Sequence, residues 1–136
     1  MILLDTNVVS ESMRVEPDRR IIQWLDRQPA SGLFISAITA DEITFGIAIL
    51  PSGRRRRRLA DVFARIMDVF VERTLSFDAA AAAESARFRA QRRLNGKPMS
   101  LADSQIAGVA KSNGFALATL DIQDFQGIDI TVLEPR

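Results

Sequence analysis

The chain has 136 residues, the size of one typical domain, and is 47% hydrophobic and 26% charged, a balance that supports a packed core and argues against disorder. It contains no cysteine and no histidine, which excludes disulfides, zinc thiolates, thiol nucleophiles and imidazole bases. Formal net charge is +1, so the total charge names no partner, although all but two of the 18 basic residues are arginine and five arginines run consecutively from position 54 to 58.

The opening segment Ile2–Leu4 reads as a short buried strand that runs directly into Asp5, Thr6 and Asn7. A carboxylate is poor in strands and costly to bury alone, so Asp5 either caps a turn or is held for chemistry. Pro17-Asp18 starts a helix to about Arg27, with Ile21, Ile22, Trp24 and Leu25 on its apolar side, and Pro29 and Gly32 mark the exit. Leu33–Ser36 is the second strand. Thr39 to Leu50 follows as a helix, with Ile43, Ile47 and Leu50 at i, i+4 and i+7 as its core stripe. Pro51-Ser52-Gly53 stops it and turns the chain back into a helix over Arg54–Phe70 with a wide apolar face, so these two helices form a hairpin.

A third strand is expected at Arg73–Leu75. Asp78 caps a long alanine-rich helix that ends at Asn95-Gly96. Ser100–Asn113 is the last helix, closed by Gly114. Strands at Phe115–Thr119 and Ile130–Leu133 complete the chain. There is no linker and no repeat. The alternation implies an α/β sandwich with a mainly parallel central sheet. No apolar run approaches membrane length, and no secretory pattern opens the chain, so the expected location is cytoplasmic with no membrane partner.

In parallel sheets, sites form beyond the carboxyl ends of the strands. Asp5 follows the first strand and Asp121 follows the fourth, so the two meet if those strands are neighbours. Two helical acids could join them. Glu42 precedes Gly46 by one turn, and a helix-interior glycine costs about 1 kcal/mol unless a close approach requires it. Asp103 heads a helix face whose next members, residues 107 and 110, are both alanine. Each acid also has a structural reading: a turn cap for Asp5, a first-turn dipole residue for Glu42, a capping box with Ser100 for Asp103, and loop Asx-turns for Asp121 and Asp124. Together they would repel one another unless a cation neutralised them. With no imidazole or thiolate available, the composition favours carboxylate-bound Mg2+ or Mn2+. Such an ion acidifies water and stabilises charge on a phosphoryl oxygen.

The segments ILLDTNVVSE, ISAITADEITFGI, LPSGRRRRRL and SLADSQIAGVAKSNGFALATLDIQDF, in this order and spacing, resemble the PIN-domain ribonucleases. Within them the resemblance is to VapC-type toxins of toxin–antitoxin pairs, in the FitB-like branch, and it covers essentially the whole chain. It implies one PIN domain over residues 1–136, with a PIN-like three-layer α/β/α sandwich. It also implies a metal-dependent endoribonuclease with RNA as substrate, a cognate protein antitoxin whose tail covers the active site, and a homodimer. By the same resemblance Asp5, Glu42 and Asp103 are the acidic triad and act as metal ligands. The resemblance places a fourth acid within TLDIQDF, where Asp124 matches the acid of the family's D-F pair; Asp121, two residues past the strand and nearer the switch point, is chosen for that role by its position. Thr6, Asn7, Thr119 and Asp124 line or brace the pocket. Many FitB-like members resemble T-R-N-x-x-D-F where this chain has TLDIQDF, so Leu120 stands where those members carry an Arg able to contact a phosphate, which puts that one contact in doubt here, and Asp121 supplies an acid in place of an amide.

Arg54, Arg55, Arg56, Arg57 and Arg58 oppose the helix dipole and repel one another, which is tolerated if they bind RNA phosphates or an acidic antitoxin tail; otherwise they are a solvated helix start. A haloacid dehalogenase-type phosphatase also places an Asp after its first strand, but its second Asp would fall at Asn7. A receiver domain needs an acidic pair after the first strand, where this chain has a lone Asp. A PIN-like module that only binds RNA or a partner is the non-enzymatic alternative.

Overall fold

The computed structural model describes residues 1–136. Five strands form one sheet: β1 (Ile2–Leu4), β2 (Leu33–Ser36), β3 (Thr74–Leu75), β4 (Ala116–Ala118) and β5 (Val132–Leu133). Their order is β3-β2-β1-β4-β5, and every pairing is parallel. Six α-helices accompany them: α1 (Thr6–Ser12), α2 (Arg19–Asp26), α3 (Ala37–Ala48), α4 (Arg54–Val69), α5 (Ala79–Leu94) and α6 (Leu101–Asn113).

Side chains alternate across a strand, and here the alternation separates two cores. Leu3 and Leu117 point to one face, where they meet Phe88 of α5 and Ile106, Val109 and Ala110 of α6. Leu4 and Ala118 point to the other, where they meet α1, α2, α3 and α4 through Val8, Ile21, Ile43 and Phe63. The result is a three-layer α/β/α sandwich. The apolar face of α4 is therefore core: Leu59, Val62, Ile66 and Met67 pack against this second cluster, as does Trp24.

One helix departs from the sequence expectation. α1 begins immediately after Asp5, which is its N-cap: the Thr6 N–H donates to Asp5 Oδ1 at 2.8 Å. Its sequence, TNVVSES, is short and rich in β-branched and small polar residues, all weak helix formers. Packing of Val8 and Val9, both buried, stabilises what propensity does not. The next helix but one also starts earlier than its pattern suggests. Ser36 caps α3, accepting from the Thr39 N–H at 3.1 Å, so Glu42 lies in the second turn and is not a first-turn dipole residue.

The two helical glycines differ in kind. A Cβ on Gly46 would meet nothing within 4 Å, so no close neighbour requires that glycine. A Cβ on Gly108 would lie 2.4 Å from the Ala81 carbonyl oxygen and 2.9 Å from the Ser85 nitrogen, because α5 and α6 pack backbone against backbone. The same substitution should then have opposite signs. Gly46→Ala is expected to stabilise the fold by about 0.5–1 kcal/mol. Gly108→Ala is expected to cost about 1–3 kcal/mol through overpacking. Urea midpoints of the two variants against the parent check both.

Candidate active site

The chain runs outward from β1 to β2 and β3 on one side, and returns to β4 and β5 on the other. β1 and β4 therefore flank the switch point where parallel sheets open a crevice. Asp5 sits there. Its N–H continues the ladder by donating to Ala118 O at 2.9 Å, and its residue is only 5% exposed. Both carboxylate oxygens are used: Oδ1 accepts from Thr6 N, and Oδ2 accepts from Thr119 Oγ1 at 2.8 Å.

Thr119 is fully buried and links this carboxylate to the far side of the cleft. Its hydroxyl donates to Asp5 and accepts from Asn7 Nδ2 at 3.2 Å and from the Asp121 N–H at 3.1 Å. Asn7 Nδ2 also reaches Asp121 Oδ2 at 3.2 Å, and Asn7 Oδ1 accepts from Leu120 N. Asn7 thus ties α1 to the segment after β4.

A second relay holds Glu42. Thr6 Oγ1 donates to Glu42 Oε1 at 2.7 Å. With its proton so placed, Thr6 Oγ1 must accept from Thr39 Oγ1, 2.9 Å away. Thr39 and Ser36 are completely buried beneath. Sequence reasoning missed this pair, although Thr39 precedes Glu42 by three residues on one helix face, which is a usable signal.

Asp103 is half-buried in the first turn of α6, where Ser100 Oγ caps its N–H at 3.1 Å. The small residues that follow on its face, Ala107 and Ala110, are fully buried. Asp124 lies in a 3-10 turn, Ile122–Phe125, whose last residue is buried in the first core.

These groups share a cleft of about 640 Å3. Asp5, Glu42, Asp103, Asp121 and Asp124 line it with Thr6 and Asn7, and Glu11 adds a sixth carboxylate. Glu11 is committed elsewhere, accepting from the Asp18 N–H at 2.9 Å and pairing with Arg14 at 3.3 Å. Two guanidiniums, Arg14 and Arg55, stand on the same cleft. Arg14 carries no sequence signal of its own. The five-arginine run divides by position. Arg54, Arg55 and Arg58 line a neighbouring groove of about 910 Å3, and Arg14 is shared by groove and cleft. Arg58 also donates to Met13 O at 2.7 Å, fixing the end of α1. Arg56 and Arg57 line neither space.

Burial pushes the Asp5 carboxyl up from 3.8 to about 6, against the opposing hydrogen bonds of Thr119 and Thr6, with the charges of Asp103 and Glu42 adding to the rise. Burial also raises Asp103, opposed by the Ser100 hydrogen bond and reinforced by the charges of Asp124, Glu42 and Asp121.

The PIN domain family profile matches residues 2–130. The chain belongs to the PIN domain family. Among relatives, this PIN domain is similar to the VapC ribonuclease Y4jK of Sinorhizobium fredii, at 38% identity over 99% of this chain and 97% of the relative. It is equally similar to the toxin FitB of Neisseria gonorrhoeae, at 38% identity over 99% and 98%. The crystal structure of FitAcB from Neisseria gonorrhoeae superposes with a TM-score of 0.91 over 99% of this chain and 98% of that one. The fold expected of a VapC- and FitB-like PIN domain is the fold found, and the haloacid dehalogenase and receiver-domain readings fall away.

No three acids are already set as a metal cage. The donor set nevertheless fits a hydrated hard cation. It is all oxygen, it surrounds an open cleft, and its carboxylates repel. Mg2+ typically keeps several waters and takes only one or two carboxylates directly.

A pH effect follows for the metal-free protein. The folded pKa of Asp5 lies above its ordinary value, so the protonated carboxyl favours the fold. That contribution is complete below pH 3.8 and is lost as pH rises through about 6. The loss should be on the order of 2–3 kcal/mol. Asp5→Asn keeps the helix cap without the charge, so it should flatten this pH dependence and stabilise the chelator-treated protein at pH 7.5. Thermal unfolding from pH 4 to 8 checks it, and an unchanged pH profile in the variant would refute it.

Proposed function

We propose that this chain is a metal-dependent endoribonuclease that acts in the cytoplasm as the toxin of a type II toxin–antitoxin pair. The observation that carries the reading is the cleft at the β1–β4 switch point, where a buried Asp5 faces Asp103, Glu42 and Asp121 with no histidine or thiol nearby. The similarity to a protein named a VapC ribonuclease and to one named a toxin supports the same reading.

In this reading Asp5, Glu42, Asp103 and Asp121 hold a Mg2+ or Mn2+ ion. When bound, the ion lowers the pKa of water and offsets charge on the phosphoryl oxygens. The protein's own groups do the positioning. Thr119 and the Thr6 N–H fix both oxygens of Asp5, so its carboxylate cannot rotate away. Thr6 orients Glu42, and Asn7 orients Asp121. Arg14 and Arg55 stand where an RNA phosphate would enter, able to make paired contacts with its oxygens. Asp121 is favoured over Asp124 as the fourth ligand because Asn7 holds its carboxylate. Asp124 acts as the supporting acid of the pocket.

A cognate antitoxin and a homodimer complete the proposal. The groove beside the cleft has an apolar floor that includes Met13, Ile43, Ile47 and Leu50, with arginines at its rim. Such a surface suits an apolar segment bearing acidic residues, and an occupant that continued over Thr6 and Glu42 would cover the cleft.

Two tests address this reading. Incubated with mixed RNA, the protein should give fragments that disappear with chelator and return with Mn2+. Folded Asp5→Asn and Asp103→Asn should lose cleavage by about a hundredfold or more, whereas shifts without fragments would make the chain a binding module. Mn2+ titration of Asp121→Asn and Asp124→Asn settles the fourth ligand, since only the first should weaken binding. Separately, Arg14→Gln with Arg55→Gln should weaken RNA binding and flatten its salt dependence by about two phosphate contacts, with Mn2+ affinity unchanged. An unaltered salt slope would assign these arginines to the protein partner.

A further inference from the structure

Arg92 is the one arginine buried in the fold, at 9% exposure. No ion pair of the chain includes it. A buried cation without an anion is costly unless its donors are fully used. Here Nε and Nη1 meet backbone carbonyls, and no buried side-chain nitrogen is left without a partner. Nε donates to Lys97 O at 2.6 Å, and Nη1 donates to Asp124 O at 2.8 Å and to Gln126 O at 3.2 Å. The carbonyls belong to two separate segments. Lys97 lies on the approach to Ser100, the cap of the helix that carries Asp103. Asp124 and Gln126 lie on and just beyond the turn that carries the other two acids.

We propose that Arg92 is a positioning residue that clamps the Asp121–Asp124 turn to the approach of α6, and so sets how Asp103, Asp121 and Asp124 face one another across the cleft. The apolar anchor of the turn, Phe125, fixes its depth, but apolar contact is non-directional. Orientation comes from hydrogen bonds, and the guanidinium provides them in a rigid planar fork. Gln91, the preceding residue of α5, adds a contact to Gly127 O at 3.0 Å beyond the same turn. The inference rests on the reading of the cleft as a carboxylate metal site, and its test separates the two.

Arg92→Lys keeps the charge and the aliphatic stem but loses the fork. Arg92→Met removes the charge as well. Amide exchange of Asp124 and Gln126, which donate within the turn to Asp121 O and Gln123 O, should accelerate at least tenfold in Arg92→Lys, with β1 and β4 amides unchanged. Mn2+ affinity should fall about tenfold. Combined with Asp121→Asn, the loss should be smaller than the sum of the single losses. Unchanged exchange at 124 and 126 overturns the proposal, as does uniform acceleration throughout the sheet. Wild-type Mn2+ affinity in folded Arg92→Lys, or additive losses in the double variant, overturns it equally. If Arg92→Met does not fold, Arg92→Lys decides alone. If the wild-type chain binds no Mn2+, the metal reading fails, and the exchange data still decide whether Arg92 clamps the turn.

Discussion

The burial of one carboxylate at the end of the central strand organises the rest of this molecule. Asp5 is 5% exposed, and burial, reinforced by the charges of Asp103 and Glu42, holds its proton affinity well above that of an ordinary aspartate. A group of that kind works against the fold at neutral pH. The fold tolerates it because the same residue serves three elements. Its amide extends the β1–β4 ladder, its Oδ1 caps α1, and its Oδ2 accepts a hydrogen bond from the Thr119 hydroxyl. Removing the side chain would therefore disturb the helix start as well as the charge, which is why an asparagine isolates the charge and an alanine does not.

The site is built on a polar base. Of the seven buried polar or charged residues, four lie beneath or within the cleft: Asp5, Ser36, Thr39 and Thr119. They sit where β2, β1 and β4 end, so each strand delivers a hydroxyl or carboxylate at the same edge. No buried side-chain polar atom lacks a partner. A fully satisfied network of this kind is rigid, whereas a partly satisfied one is costly. The exposed acids, Glu42 and Asp121, are consequently positioned by buried groups through Thr6 and Asn7 and do not depend on solvent contacts.

Much of this was legible in the residues, for reasons that also explain the gaps. The strands next to the site were readable because short apolar runs ended in polar residues, but that Asp5 and Asp121 share one cleft depended on β1 and β4 being neighbours, which the sequence left as a condition and the structure supplies. The apolar face of α4 was visible as a period, but periodicity does not say whether a face meets the core or a second chain. α1 was invisible because its weak helix formers are held by packing from distant elements. For the same reason the two readings of Asp5 were posed as alternatives, although the residue both caps a helix and faces the cleft. Gly46 was read as a close approach, yet only the backbone geometry of α5 and α6 reveals that Gly108 is the position with no room. Arg92 gave no signal because its partners are backbone carbonyls, which every residue carries.

The near-neutral total charge conceals a sharply divided surface. Six carboxylates and two arginines share one cleft, while three arginines of the helix run face the adjoining groove. A polyanion approaching the cleft is repelled by the acids and attracted by the rim, and the two effects act over similar distances. At physiological ionic strength the screening length is about 8 Å, so residues at the rim govern the approach and the acids govern the last few ångströms. A cation among the acids would reverse the sign of that inner region without touching the rim. Metal and RNA should then bind with positive coupling, each raising the affinity for the other by the same factor, as linkage requires.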